Sequence, residues 1–132
     1  MNALIVDDSL TARIMMAYAL RELGFEVHEA GNGFDALHYL RQGPAPDLMT
    51  LDWNMPGLNG GQVLDALNAE PGLKPGKIML VTSETDMQTV GQSLSLGGDE
   101  YLMKPFSVDA VAEKLEILGL LSAPRSVVNG RA

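Results

Sequence analysis

Four short, nearly uninterrupted apolar stretches punctuate the chain: Ala3-Leu4-Ile5-Val6, Leu48-Met49-Thr50-Leu51, Ile78-Met79-Leu80-Val81 and Tyr101-Leu102-Met103. Runs of this length without polar alternation predict strands buried on both faces. A fifth stretch, Phe25-Glu26-Val27-His28-Glu29, alternates apolar with polar residues and predicts a strand with one wetter face, near the edge of a sheet. Between these stretches the spacing is helical. Ala12, Met16, Leu20 and Leu23 form one stripe, followed by Gly24 as a left-handed cap. Asn32-Gly33 opens a second helix through Ala36, Leu37 and Leu40, which Gly43-Pro44-Ala45-Pro46 stops. Val63, Leu64 and Leu67 mark a third, ended by Pro71-Gly72, and Asp86 to Leu96 is a weaker fourth with Val90 and Leu94. Val108 to Leu118 forms a fifth through Val111, Leu115 and Leu118. Strands and helices thus alternate five times, which predicts a parallel sheet with helices on both faces: a doubly wound five-stranded α/β domain.

Composition narrows the class. The 132 residues are 46% hydrophobic, enough to fill one core, and contain no cysteine, so a disulfide framework, a thiolate metal site and a thiol nucleophile are excluded. Nine basic residues against 17 acidic ones give a net charge of −8, which disfavours nucleic acid as a partner. The N-terminus lacks a basic region and a signal-length apolar run, and no stretch is long enough to span a bilayer. A cytoplasmic protein without membrane insertion is expected, with one domain over residues 1–121 and a flexible tail over 122–132.

The chemistry collects at strand ends, because ligands of open parallel sheets bind outside the carboxyl ends of the strands. The first strand ends in Asp7-Asp8, the third in Asp52, the fourth in Thr82-Ser83 and the fifth in Met103-Lys104-Pro105. Alone, Asp7-Asp8 reads equally well as a helix cap, Asp52 as a turn residue and Lys104 as a loop lysine. Together they place three carboxylates, a hydroxyl and an ammonium on one rim. Three like charges in a small volume call for a cation, and an all-oxygen donor set suits Mg²⁺ with a phosphoryl group. Asp52 is the expected nucleophile, forming an aspartyl phosphate that Thr82 and Lys104 contact.

These motifs, Val6-Asp7-Asp8-Ser9, Leu51-Asp52-Trp53-Asn54-Met55-Pro56-Gly57, Val81-Thr82-Ser83 and Tyr101-Leu102-Met103-Lys104-Pro105-Phe106, resemble the receiver domain of bacterial two-component response regulators, in particular its single-domain chemotaxis (CheY-like) type. The resemblance runs from Leu4 to Leu118. It implies a flavodoxin-like strand order of 2-1-3-4-5 and a cis Lys104-Pro105 bond. Asp52 is then the phosphoacceptor, and Asp7, Asp8, Asp52 and the Asn54 carbonyl are the Mg²⁺ ligands. Thr82 and Lys104 are the phosphoryl contacts, and Tyr101 is a rotameric switch. Asn54 and Glu84 occupy positions that tune phosphoryl lifetime. The implied donor is a histidine kinase or a histidine phosphotransfer protein. A downstream protein would dock on the face made by the fourth helix, fifth strand and fifth helix.

The expected protein is a monomeric signalling protein, with dimerisation on phosphorylation an open alternative. It catalyses its own phosphorylation and dephosphorylation but is not an enzyme in purpose, and its output is protein binding. Three other readings stand beside this one. A phosphatase of the haloacid-dehalogenase kind would need a second Asp where Asn54 stands. A phosphorelay intermediate would pass the group to another histidine. A phosphorylation-independent binding module would not need the intact acidic set. His28, His38 and most of the eight methionines are read as structural, and Trp53 as half-exposed beside the metal site.

Overall fold

The computed structural model describes residues 1–88, 91, 94 and 97–122. Five strands, β1 (Asn2–Val6), β2 (Glu26–Ala30), β3 (Leu48–Asp52), β4 (Lys77–Thr82) and β5 (Glu100–Met103), form one parallel sheet in the order β2-β1-β3-β4-β5. The helices are α1 (Leu10–Glu22), α2 (Gly33–Gln42), α3 (Gly60–Ala69) and α4 (Val108–Ile117), the last being the fifth of those predicted. The predicted fourth helix, with Val90, falls largely outside the described residues, as does the tail beyond Ser122. Leu120 and Leu121, at the predicted end of the domain, still pack on the core.

Strand residues of opposite parity feed two separate cores. Leu4, Val6, Met49, Leu51, Ile78 and Leu80 pack with α2 and α3. Ala3, Ile5, Leu48, Met79 and Val81 pack with α1 and α4. This double coverage is why the central strands carry no polar alternation. Only β2, on the edge, keeps exposed Glu26 and Glu29, as its alternating pattern predicts.

The helix starts are fixed by side chains at the rim where the strands end. Ser9, Asn32, Asn59 and Ser107 each accept a hydrogen bond from the backbone N–H three residues on, and the Asn59 N–H in turn donates to the Gln62 side-chain oxygen. Each cap stabilises its helix by about 1 kcal/mol. At the far end of α1, Gly24 adopts φ +95° and donates to the Arg21 carbonyl, while the Phe25 N–H reaches the Leu20 carbonyl. That pairing folds Phe25 back onto Leu20 within the core. Pro71-Gly72, expected as a plain stop, instead begins a 3-10 turn, Pro71–Leu73, because a proline's fixed φ suits a first helical position.

Two expectations about packing need correction. Of the eight methionines only Met16, Met49, Met55 and Met79 are buried; Met1, Met15 and Met103 are exposed. Ala12 and Leu23, predicted in the buried stripe of α1, are only half-buried, and Ala17 and Ala19 complete the packed face instead. The opposite face of α1 is apolar too: Leu10, Ile14 and Tyr18 are 62%, 58% and 60% exposed.

Candidate functional site

Strand alternation brings the charged residues together. Counting in twos from Ala3 and Ile5, from Leu48 and Thr50, and from Leu102 puts Asp7, Asp52 and Lys104 on the same side of the sheet. Backbone bonds then hold the strand ends in place. The Asp7 N–H donates to the Ala30 carbonyl at 3.1 Å, Trp53 to Val81 at 2.8 Å and Lys104 to Thr82 at 2.7 Å. The Asp7 carboxylate accepts the Ser9 N–H at 2.9 Å, and Arg13 donates to the Asp7 carbonyl at 2.7 Å.

Asp7, Asp8 and Asp52 each offer a carboxylate oxygen, and these oxygens lie within 4.8 Å of one another. Asp7 and Asp52 are each only 5% exposed. Lys104 answers this charge: its ammonium lies 2.9 Å from Asp7 and 3.5 Å from Asp52. Asp52 is pushed up to about 7, first by burial and then by the Asp7 charge, against the opposing pull of Lys104. An Asn54 backbone hydrogen bond to the carboxylate works in the same direction as Lys104. Burial works against the charge on Lys104, but hydrogen bonding to Asp7 and the charges of Asp52 and Asp7 outweigh it, and its pKa is raised. An acid forced up and a base held charged mark a group of carboxylates with too little positive charge beside it. An oxygen-only, partly unneutralised cluster of this kind suits a hard divalent cation.

A cavity of about 220 Å³ opens beside the cluster, lined by Asp8, Asp52, Asn54, Thr82, Ser83, Asp86 and Lys104. Larger hollows flank α1, but they are apolar, and the chemistry concentrates in this smaller polar one. Thr82 is 2% exposed, and its hydroxyl donates to the Ser83 carbonyl at 3.3 Å. The Lys104-Pro105 bond is cis, as the resemblance implies.

The family model for the response regulator receiver domain matches residues 3–116. The chain belongs to the response regulator receiver family. This receiver is 36% identical over 117 residues to chemotaxis protein CheY-3 of Vibrio cholerae, covering 88% of this chain and 89% of the relative. It is 38% identical to chemotaxis protein CheY of Pseudomonas aeruginosa, covering 88% and 94%. Among solved structures, the chemotaxis response regulator CheY4 of Vibrio cholerae superposes with a TM-score of 0.79 at 28% identity, covering 89% of this chain and 97% of that one. Membership decides between a receiver and a haloacid-dehalogenase phosphatase in favour of the receiver.

The receiver fold gathers Asp7, Asp8, Asp52, Asn54, Thr82 and Lys104 at one rim. Tyr101 lies away from them, half-buried against the α2/α3 core with the Lys114 ammonium 4.5 Å from its ring centre. The Glu84 side chain lies outside the described residues. Trp53 is half-exposed as expected, but it stacks on Gly60 and Gly61 at the start of α3 and does not line the cavity. A Cβ on Gly60 would come within 2.9 Å of the Asp52 carbonyl and the Trp53 Cα, so only glycine fits under the acceptor loop. Sequence reasoning missed Arg13, Gly60 and Asp86. Asp86 opens the predicted fourth helix, where an acidic residue in the first turn is ordinary, so it carries no signal of its own. Among the described residues, no helix is long and apolar enough to cross a membrane.

Proposed function

We propose that this receiver accepts a phosphoryl group on Asp52 from the phosphohistidine of a histidine kinase or a histidine phosphotransfer protein, and signals by binding a downstream protein, in a chemotaxis-like role. The observation that carries the reading is the acidic cluster, with Asp7 and Asp52 buried, beside a cavity of about 220 Å³ with Lys104 and Thr82 on its wall. Asp7, Asp8, Asp52 and the Asn54 carbonyl would hold Mg²⁺, which when bound supplies the positive charge that the carboxylates and phosphoryl oxygens need. In the transfer, an Asp52 carboxylate oxygen forms a bond to phosphorus as the phosphorus–nitrogen bond breaks, and the imidazole departs with the bonding pair, neutral because its other ring nitrogen already carries a proton. Lys104 supplies charge to the phosphoryl oxygens, and Thr82 leaves the Ser83 carbonyl to donate its hydroxyl to one of them. The chain thereby promotes its own phosphorylation and loss while acting as a signalling protein. Asn54 and Glu84 tune the lifetime, and Tyr101 passes the change to the output face.

The apolar surface of α1 supports a seat for the donor there. Leu10, Ile14 and Tyr18 form an exposed apolar stripe; Ile14 and Tyr18 line an apolar hollow with Met15 and Phe106, two residues that also wall the hollow holding Ser9 and Lys104. A helical donor laid on this stripe would present its histidine to Asp52. Intact-mass measurement after incubation with Mg²⁺ and acetyl phosphate tests the chemistry. The native chain should gain one phosphoryl group, and Asp52→Asn should gain none. A folded native chain that gains nothing, or a gain that survives in Asp52→Asn, overturns the assignment.

A further inference from the structure

The phosphoryl cavity has one wall residue for which phosphoryl transfer supplies no task. Asp86 is the third carboxylate on that wall, beside Asp8 and Asp52, and lies outside the Asp7, Asp8 and Asp52 cluster. It closes a ring of bonds around Ser83. The Asp86 carboxylate accepts the Ser83 hydroxyl at 3.0 Å, and the Asp86 N–H donates to the Ser83 carbonyl at 3.2 Å. The same Ser83 carbonyl accepts the Thr82 hydroxyl, and the Ser83 hydroxyl also lies 2.9 Å from the hydroxyl of Thr85. The short turn Glu84–Asp86 is thereby tied to the residue that engages Thr82. Among the described residues, no cation pairs with Asp86; Lys104, on the same cavity wall, pairs with Asp7 and Asp52.

We propose that Asp86 is a positioning residue of the phosphoryl site, holding Ser83 and the Thr82 hydroxyl in the unphosphorylated arrangement while its charge opposes a phosphoryl anion in the shared cavity. This rests on the phosphoryl reading of the cavity. Two separable effects follow. The hydrogen bond sets where the turn sits, and the charge weakens anion binding whichever way the turn lies. Thr82 can reach a phosphoryl oxygen only by leaving the Ser83 carbonyl, so the network around Asp86 resists the very movement that the anion favours. A carboxylate facing the same cavity as a phosphoryl dianion is screened by solvent and Lys104, which leaves a penalty of about fivefold in affinity.

The probe is beryllofluoride with Mg²⁺, titrated calorimetrically into the full chain, with the half-life of the acetyl phosphate-derived adduct followed by intact mass. Asp86→Asn keeps an oxygen for the Ser83 hydroxyl and removes the charge. It should bind beryllofluoride about fivefold more tightly and hold the phosphoryl group longer, with the gain shrinking as salt rises. Ser83→Ala keeps the charge and removes the bond, so it should bind about twofold more tightly with no change in salt dependence. Equal affinity and half-life in the native chain and Asp86→Asn, or a gain indifferent to salt, overturn the role of Asp86 alone. A native chain that binds no beryllofluoride overturns the phosphoryl reading and the role of Asp86 with it.

Discussion

Removing the charge of Asp52 should make this receiver more stable while abolishing its chemistry. The acceptor is buried, faces Asp7 and is pushed from the ordinary carboxylate value of 3.8 up to about 7. Between about pH 4 and 7 the native state therefore holds a proton that the unfolded chain has released, so stability contributed at this site falls as pH rises through that window. Above pH 7 the full penalty is present: roughly 3 pH units at 1.36 kcal/mol each is about 4 kcal/mol. Asparagine keeps the shape and an acceptor for the Asn54 N–H but forfeits the attraction of Lys104 at 3.5 Å, which brings the expected gain to about 2–4 kcal/mol. In a domain of this size that is a rise of about 10 °C in Tm. Urea and thermal denaturation of both proteins in EDTA, followed by circular dichroism at pH 8, 6 and 4, measure it. The advantage of Asp52→Asn should be largest at pH 8 and nearly gone at pH 4, and saturating Mg²⁺ should narrow it at pH 8. A variant no more stable than the native chain at pH 8, or one equally favoured at pH 4, refutes the argument from desolvation.

Three further outcomes test other parts of the site. Gly60→Ala forces the β3–α3 loop away from the Asp52 carbonyl and Trp53, and should cost about 2 kcal/mol in urea denaturation while slowing phosphorylation by acetyl phosphate. Lys104→Ala leaves Asp7 and Asp52 without their shared cation; it should lower stability at pH 8 by about 2 kcal/mol, and acetyl phosphate should no longer load Asp52 efficiently. Ile14→Glu on the exposed face of α1 should leave the acetyl phosphate rate unchanged within about twofold yet cut transfer from a phosphohistidine protein about tenfold, read by stopped-flow or mass analysis.

The legibility of this chain followed what each pattern physically reports. β1, β3 and β4 stood out because double burial removes polar alternation, and β2 declared itself an edge strand through Glu26 and Glu29. The order of the strands came from the resemblance, since periodicity says which faces are covered and not which strand lies alongside. The acidic rim was legible because strand ends converge and like charges need a reason to meet. α1 was half-legible: Leu10, Ile14 and Tyr18 recur at the same helical spacing as its buried residues, and sequence periodicity cannot tell a face covered by the sheet from one left open. Asp86 stayed hidden because only the three-dimensional cavity distinguishes it from an ordinary acidic residue in the first turn of a helix.

Lys104 stands in the wall of two hollows, the polar one beside Asp52 and the apolar one that runs onto α1. A ligand in either hollow therefore meets the same ammonium. If filling one shifts that side chain, occupancy of the two must be coupled reciprocally: whatever factor phosphorylation imposes on a guest along α1, that guest imposes equally on the phosphoryl equilibrium. One lysine would then tie the two hollows together without a separate moving part.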